Sequence, residues 1–477
     1  MKASNPIKGS LVITGTRIVA SLCGFGLNWM VAQRSAGDLG AFRTLLIFFL
    51  VAETLPLLGL QILLVREVAL NRAQLKKYVL HGALIAEASS LVMIGGILAL
   101  GARGGYSPVV SRGLVLIAIA LPASAFYVCA APILVGLGRT TEFGLVQTAE
   151  TIIRAAAGAV LLWLGSSMLW VIGCFVIARW LVIVVYGRLL SSPDDPAPFE
   201  FDWGFMRELL SHAPVFASIA GCVALTRYAT PLILPWMSGD EAAGHFGAAF
   251  IFIDIVLLLP TALVLNLMPR YAILANQSGQ ELNRAVRRSV KLMALGVLPV
   301  AGGITMIAPA LLHMIFRKAD FHSSVAILQV VIWSCVPLSV DQILSAAIVA
   351  SGKQKIDLQV VAGGAAALLV VLIPLIKMWG ALGAAWGFLA GSVALVLLRF
   401  LLVTRHLGAI RPLELCWRPL VATGLMMAAV GVLPADQWFV AIILGALVYF
   451  LGLFLAGSFR RTEREEVFGW LGTEESA

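Results

Sequence analysis

Charge is what this chain has least of. Asp, Glu, Lys and Arg make up 12% of its 477 residues, about half their share in soluble domains. So little charge excludes a freely soluble globular protein. Recognisable chemistry is also scarce. Six cysteines (Cys23, Cys129, Cys174, Cys222, Cys335 and Cys416) are scattered, mostly within apolar runs, with no CxxC pair or Cys/His cluster. They read as small apolar residues, not as a disulfide framework or metal site. The six histidines are equally dispersed. Gly-rich phosphate loops and nucleophile elbows are absent. No enzyme chemistry, cofactor or metal is expected.

What is present is apolar. Hydrophobic residues make up 60% of the chain, and the mean hydropathy is +0.96. A membrane-spanning helix needs about 20 apolar residues. The runs predict fourteen spans, at 10–33, 39–65, 78–101, 113–137, 143–165, 168–190, 212–236, 246–269, 289–315, 323–350, 357–378, 381–404, 416–434 and 437–457. The expected fold class is therefore all-α integral membrane. The first run contains Arg17 and is too long for a signal-peptide core, so it is expected to stay as an uncleaved span.

The net charge of +9 does not call for nucleic acid, because the positive-inside rule accounts for it. With both termini in the cytoplasm, only Arg34, Arg103, Arg112, Arg317, Lys318 and Lys377 face outward. Five arginines lie within spans, and the rest of the 34 basic residues lie inside. The polar, Pro-rich stretch Ser191–Glu200 reads as a cytoplasmic linker. Phe201–His212 reads as a short interfacial helix entering span seven. The tail 459–477 is charged.

Spans two and eight match at a constant offset of 204: Phe42/Phe246, Ile47/Ile251, Phe48/Phe252, Leu55/Leu259, Pro56/Pro260, Leu63/Leu267, Arg66/Arg270 and Leu70/Leu274. Spans four and ten each hold a proline, Pro122 and Pro337. They end in Gly138-Arg139 and Gly352-Lys353. The pattern predicts two parallel six-helix repeats around a central cavity, an arrangement that carriers use for alternating access. The first lobe is expected at 1–190, linker and interfacial helix at 191–211, the second lobe at 212–404, and two added spans at 405–458.

Ten ionisable residues sit well within spans, away from their ends: Arg17, Arg43, Glu53, Glu87, Glu150, Arg154, Arg179, Arg227, Asp254 and Asp341. Each costs roughly 2.5–3.5 kcal/mol at mid-bilayer, so each should face an interior or a wet cavity. Glu150 and Arg154, spaced i,i+4, read either as a self-neutralising pair or as part of a site. Arg179 has no such partner in its own span. Glu53 and Asp254 sit at nearly equivalent depth in spans two and eight. Glu53 is expected to pair with an arginine. Asp254 and Asp341 have only Arg227 in their lobe, which makes them candidates for a coupling proton or Na⁺. Arg17, Arg43, Arg154, Arg179 and Arg227 are the candidate bases for an anionic substrate. Gly380, Gly383, Gly387 and Gly391 predict close helix packing.

Arg17, AQRSAGDLGAF (32–42), LPLLGLQILLVREVA (55–69), ELLSHAPVFAS (208–218), SGDEAAGHFGAA (238–249) and WGALGAAWGFLAG (379–391) together resemble the polysaccharide transporter (Wzx-type) flippases. These belong to the multidrug/oligosaccharidyl-lipid/polysaccharide (MOP) superfamily. The resemblance implies carriage of an undecaprenyl-pyrophosphate-linked oligosaccharide, such as an O-antigen, exopolysaccharide or capsule repeat unit, across the bacterial inner membrane. It further implies membrane lipids, polysaccharide polymerase and chain-length machinery as partners, and Arg17 as the best match to a pyrophosphate-binding arginine. A lipid II flippase, a MATE-like cation antiporter and, less well, a polysaccharide polymerase or ligase are the alternatives.

Overall fold

Inside a bilayer no water is available to backbone amides, so each span must close its own hydrogen bonds. The computed structural model describes residues 6–190, 200–316, 321–407, 412–434 and 437–456. Among these the secondary structure is helical, with no strand. The helices are α1 (Pro6–Ala32), α2 (Ala36–Ala52), α3 (Gln61–Leu70), α4 (Leu75–Arg103), α5 (Pro108–Gly136), α6 (Thr140–Trp163), α7 (Met168–Leu190), α8 (Trp203–Val256), α9 (Leu258–Gln277), α10 (Gly279–Phe316), α11 (His322–Val331), α12 (Cys335–Ala350), α13 (Gln354–Leu407), α14 (Pro412–Val430) and α15 (Trp438–Leu455). Each expected span falls on these helices, but not one to one: spans two, eight and ten, expected to be continuous, are each divided between two helices, α2 and α3, α8 and α9, and α11 and α12. Two pairs of spans run together, in α8 and α13, where the backbone leaves helical geometry only at Gly239 and Gly380. The helix expected over 201–212 is continuous with span seven. Most of the expected linker, the charged tail, Arg317 and Lys318 lie outside the described residues.

The chain divides into two compact units, Met1–Gly244 and His245–Ala477. In the first, residues from α3, α4, α5, α7 and the start of α8 share a buried core that includes Leu57, Leu64, Tyr78, Ile133, Tyr186 and Leu209. His81, fully buried on α4, bonds through Nε2 with the Asp202 backbone (N at 2.9 Å) and stacks on Phe201 at 5.2 Å. Lys77 Nζ donates to Asp202 Oδ2 at 2.9 Å. This bond and the Phe205 backbone N–H hold the Asp202 carboxyl below the usual carboxylate range. The added stability is present above that range and is lost as pH falls through the lowered value. In the second unit α14 and α15 pack on α10. Ala422, Met426, Tyr449 and Leu453 form a buried cluster, and the Tyr449 hydroxyl donates to Leu295 O at 2.7 Å. Trp163, Trp170, Trp236 and Trp379 are exposed at helix ends on one expected face, and Trp203 and Trp417 on the other, as interfacial anchors.

Local structure repeats along with the sequence. α2 ends at Ala52, and α8 ends at Val256, its equivalent at the 204-residue offset. The cause is the proline pair. Pro56 and Pro260 offer no N–H to the carbonyls of Ala52 and Val256. In α9 the helix resumes at once, with Thr261 N bonding Leu257 O at 3.1 Å. In the first copy the break stays open through Leu60, because Leu58 and Gly59 adopt positive φ (51° and 75°). Gly59 also lies against the Phe216 carbonyl, where a side chain would collide. The ends of spans four and ten match as well. Gly138 and Gly352 (φ 77° and 73°) close identical Schellman caps. In these, Arg139 N bonds Leu134 O at 2.9 Å and Lys353 N bonds Ile348 O at 3.2 Å.

One contact within the first unit is reciprocal. A Cβ on Gly40 would strike the carbonyl of Asp240, and one on Gly244 would strike the carbonyl of Ala36. Residues 36 and 240 are repeat equivalents, as are 40 and 244. Two helices cross here backbone to backbone. Leucine at either glycine is expected to force the helices apart and to cost about 1–3 kcal/mol. Thermal unfolding in detergent checks this, and leucine at Gly15 or Gly173, where no atom lies within 4 Å of the added Cβ, is the control.

Candidate functional site

The break in span two leaves Glu53 as the C-cap of α2, at the start of the unwound stretch. Its carboxylate sits at a helix C-terminus, an end that favours cations. Two arrive from neighbouring helices. Arg179, on α7, donates from Nη2 to Glu53 Oε1, and the same nitrogen lies 3.3 Å from Glu150 Oε1. Arg154, one turn after Glu150 on α6, is 3.6 Å from Glu150 and 3.7 Å from Glu53. Two acids and two bases thus form a neutral tetrad. Arg179 and Glu150 are buried, with 1% of each side chain exposed; Glu53 and Arg154 show 20% and 16%. Aromatic faces enclose the bases. The Arg179 guanidinium carbon is 3.9 Å from the Tyr127 ring centroid, and that of Arg154 is 5.0 Å from Phe175.

The tetrad is incompletely satisfied. Arg179 Nε and Nη1, Arg154 Nε, Glu150 Oε1 and the Tyr186 hydroxyl are buried without a hydrogen-bond partner. Buried polar groups are rarely left so. An irregular backbone at membrane depth is tolerated where it is packed in protein or lines a wet cavity. The unwound 53–60 segment and the under-bonded tetrad lie together.

The second unit holds a different group. Arg399, on α13, is 1% exposed and donates to both Asp341 on α12 and Asp357 on α13. The Ser345 hydroxyl donates to Asp357 Oδ1 at 2.8 Å. Here two acids share one base, which leaves one negative charge over. This corrects the expectation that Asp341 has only Arg227 for company. Arg399 was read as part of the inner basic segment. The signal that could have found it is its place five residues inside the end of span twelve, across the hairpin from Asp357. The expectation that Glu53 pairs with arginine agrees with the geometry. Arg179 has no partner in its own span, as expected; its partners come from other helices.

The remaining candidates are dispersed. Arg43, on α2, is half-buried. Arg227, on α8, is exposed, with its guanidinium 5.9 Å from the Tyr228 ring. Asp254 is exposed near the end of α8. Arg17 lies in α1, and its side chain falls outside the described residues.

A further feature lies apart from the charges. α9, α10, α14 and α15 line a half-open cavity of about 790 Å³. Its walls are almost wholly apolar and include Leu263, Gly296, Val300, Gly303, Met426 and Phe450.

No protein-family model matches this sequence, and no curated protein matches it. Solved structures do match in fold. The lipid II flippase MurJ, in an inward closed conformation, is similar with a TM-score of 0.71 at 12% identity, over 94% of this chain and 100% of that one. An inward-facing multidrug resistance MATE family transporter of the MOP superfamily is similar with a TM-score of 0.66 at 12% identity, over 83% and 98%. A MOP superfamily transporter from Pyrococcus furiosus has a TM-score of 0.62 at 12% identity, over 84% and 95%. This chain is a multi-pass α-helical membrane protein with the fold of MOP superfamily transporters.

Proposed function

We propose that this protein is a flippase that carries an undecaprenyl-pyrophosphate-linked oligosaccharide across the bacterial cytoplasmic membrane by alternating access, with both termini in the cytoplasm. The observation that carries this reading is the apolar cavity bounded by the added helices α14 and α15. A water-soluble drug or cation has no use for such a space. A prenyl chain does, because each buried methylene is worth about 0.8 kcal/mol. The diphosphate needs bidentate, charge-assisted donors. Arg17, Arg43 and Arg227 are assigned that role, while Arg154 and Arg179 stand in the tetrad with Glu53 and Glu150. The Asp341–Arg399–Asp357 triad, with its surplus acid, is assigned the coupling proton or Na⁺, and Asp254 is the second candidate. The transport step itself makes and breaks no covalent bond.

The direct test is rescue of glycan export in flippase-null bacteria. Arg17→Ala, Arg43→Ala and Arg227→Ala together should abolish export at normal protein level; unchanged export would reject the diphosphate assignment. Gly296→Leu with Gly303→Leu tests the tail. No atom lies within 4 Å of a Cβ at either position, and leucine is a better helix former than glycine. The variant should fold normally. If it excludes two methylenes of the tail, export should fall about ten-fold. Export at the wild-type rate would place the tail elsewhere. A lipid II flippase needs the same tail and diphosphate, so it is the second reading. Rescue of a lipid II flippase-null strain, without rescue of glycan export, would select it.

A further inference from the structure

α10 is long for a single span. Its 38 residues extend roughly 57 Å at 1.5 Å per residue, against a hydrocarbon core of about 30 Å. The hydropathy pattern brings this helix into the membrane near Ser289, so its first turns lie in the headgroup region on the face that the Lys/Arg distribution assigns to the cytoplasm.

These turns carry Arg284, Arg287, Arg288 and Lys291. The spacing is i, i+3, i+4, i+7, so the four bases form one stripe. The other side of the same turns is held in the second unit: Leu282, Ala285, Val286, Ser289, Val290 and Met293 are buried. Arg284 is exposed and the other three are half-buried. Two interfacial bases of the first unit have acids beside them: Lys77 has Asp202, and Arg139 has Glu142. Among the described residues, no ion pair involves Arg284, Arg287 or Arg288. Like charges one turn apart repel. The stripe is therefore built against its own local electrostatics, and an external anion would relieve it.

We infer that this stripe binds the headgroups of anionic phospholipids. The orientation selects them: one face is fixed in the protein, and the charged face stands at headgroup height. A membrane surface of fixed negative charge attracts each such base by about 1 kcal/mol, a contribution that salt screens. The inference concerns the lipid around the protein and does not depend on what the protein transports.

The test uses the full-length protein, purified from vesicles of phosphatidylcholine with phosphatidylglycerol, with retained lipid counted by mass spectrometry. Wild type should retain phosphatidylglycerol selectively and release it as salt is raised. R284Q/R287Q/R288Q should lose that preference, by roughly five-fold for each base removed. R284K/R287K/R288K keeps the charge and should keep the lipid, which separates charge from misfolding. Removing Arg103 and Arg112, both exposed on the opposite expected face, should change nothing. If the glutamine variant retains phosphatidylglycerol like wild type, or if inorganic pyrophosphate binds the stripe while phosphatidylglycerol does not, the inference is wrong.

Discussion

Arg179→Leu is expected to be among the most damaging single substitutions in the chain, with a loss of about 3–5 kcal/mol of stability. Arg179 bridges two carboxylates, Glu53 and Glu150, across three helices. Its removal leaves two acids and only Arg154, 3.6 and 3.7 Å from them. One buried negative charge is then unmatched where solvation is poor. Loss of folded protein and a lower detergent melting temperature measure the effect. Arg179→Lys keeps the charge but not the two-pronged geometry, so it should recover only part. Arg179→Leu with Glu53→Gln returns the group to one acid and one base. If charge balance governs, the double variant is more stable than Arg179→Leu alone. A double variant no better than the single would show that packing of the arginine on Tyr127 and Phe49 matters more.

The second unit should respond asymmetrically. Arg399→Leu leaves Asp341 and Asp357 buried together without a cation, and a loss of about 3–5 kcal/mol is expected again. Asp341→Asn instead leaves Arg399 matched one-to-one with Asp357, and its amide can still accept a bond from the guanidinium. That variant should fold, with detergent melting close to wild type. Its defect should appear in flux: transport into proteoliposomes driven by a proton or Na⁺ gradient should become insensitive to that gradient. A gradient response at the wild-type level in Asp341→Asn and in Asp254→Asn would remove the coupling assignment. Arg399→Leu and Asp341→Asn thus separate what holds the unit together from what it carries.

These contrasts also mark where one-dimensional reading succeeds. The spans were legible because lipid imposes a length on every apolar run. Pro56/Pro260 marked the repeat, but the spans were expected to run through them; in both copies the helix instead stops four residues before the proline, where the carbonyl loses its donor. Gly138-Arg139 and Gly352-Lys353 likewise became the same cap twice. The partners of the buried charges were another matter. Glu150 and Arg154 were visible as a pair because they lie one turn apart. Arg179 reaches Glu53 from 126 residues away, and Arg399 reaches Asp341 from 58 residues away. A list of spans contains no information on which helix faces which. Arg399 was counted with the basic residues on the inner side because it lies close to the inner end of span twelve.

By itself, then, the sequence determined that this is a multi-span helical membrane protein, that spans two and eight share a pattern at a constant offset, and that ten ionisable groups lie where charge is expensive. Those are consequences of hydrophobicity and spacing, which are local properties of the chain. Only the tertiary structure decided that the first unit's charges close into a neutral tetrad beside an unwound helix, that the second unit keeps one acid over, and that the last two helices help to line an apolar cavity. Charge neutralisation and cavity shape depend on distances between helices, and packing sets those distances.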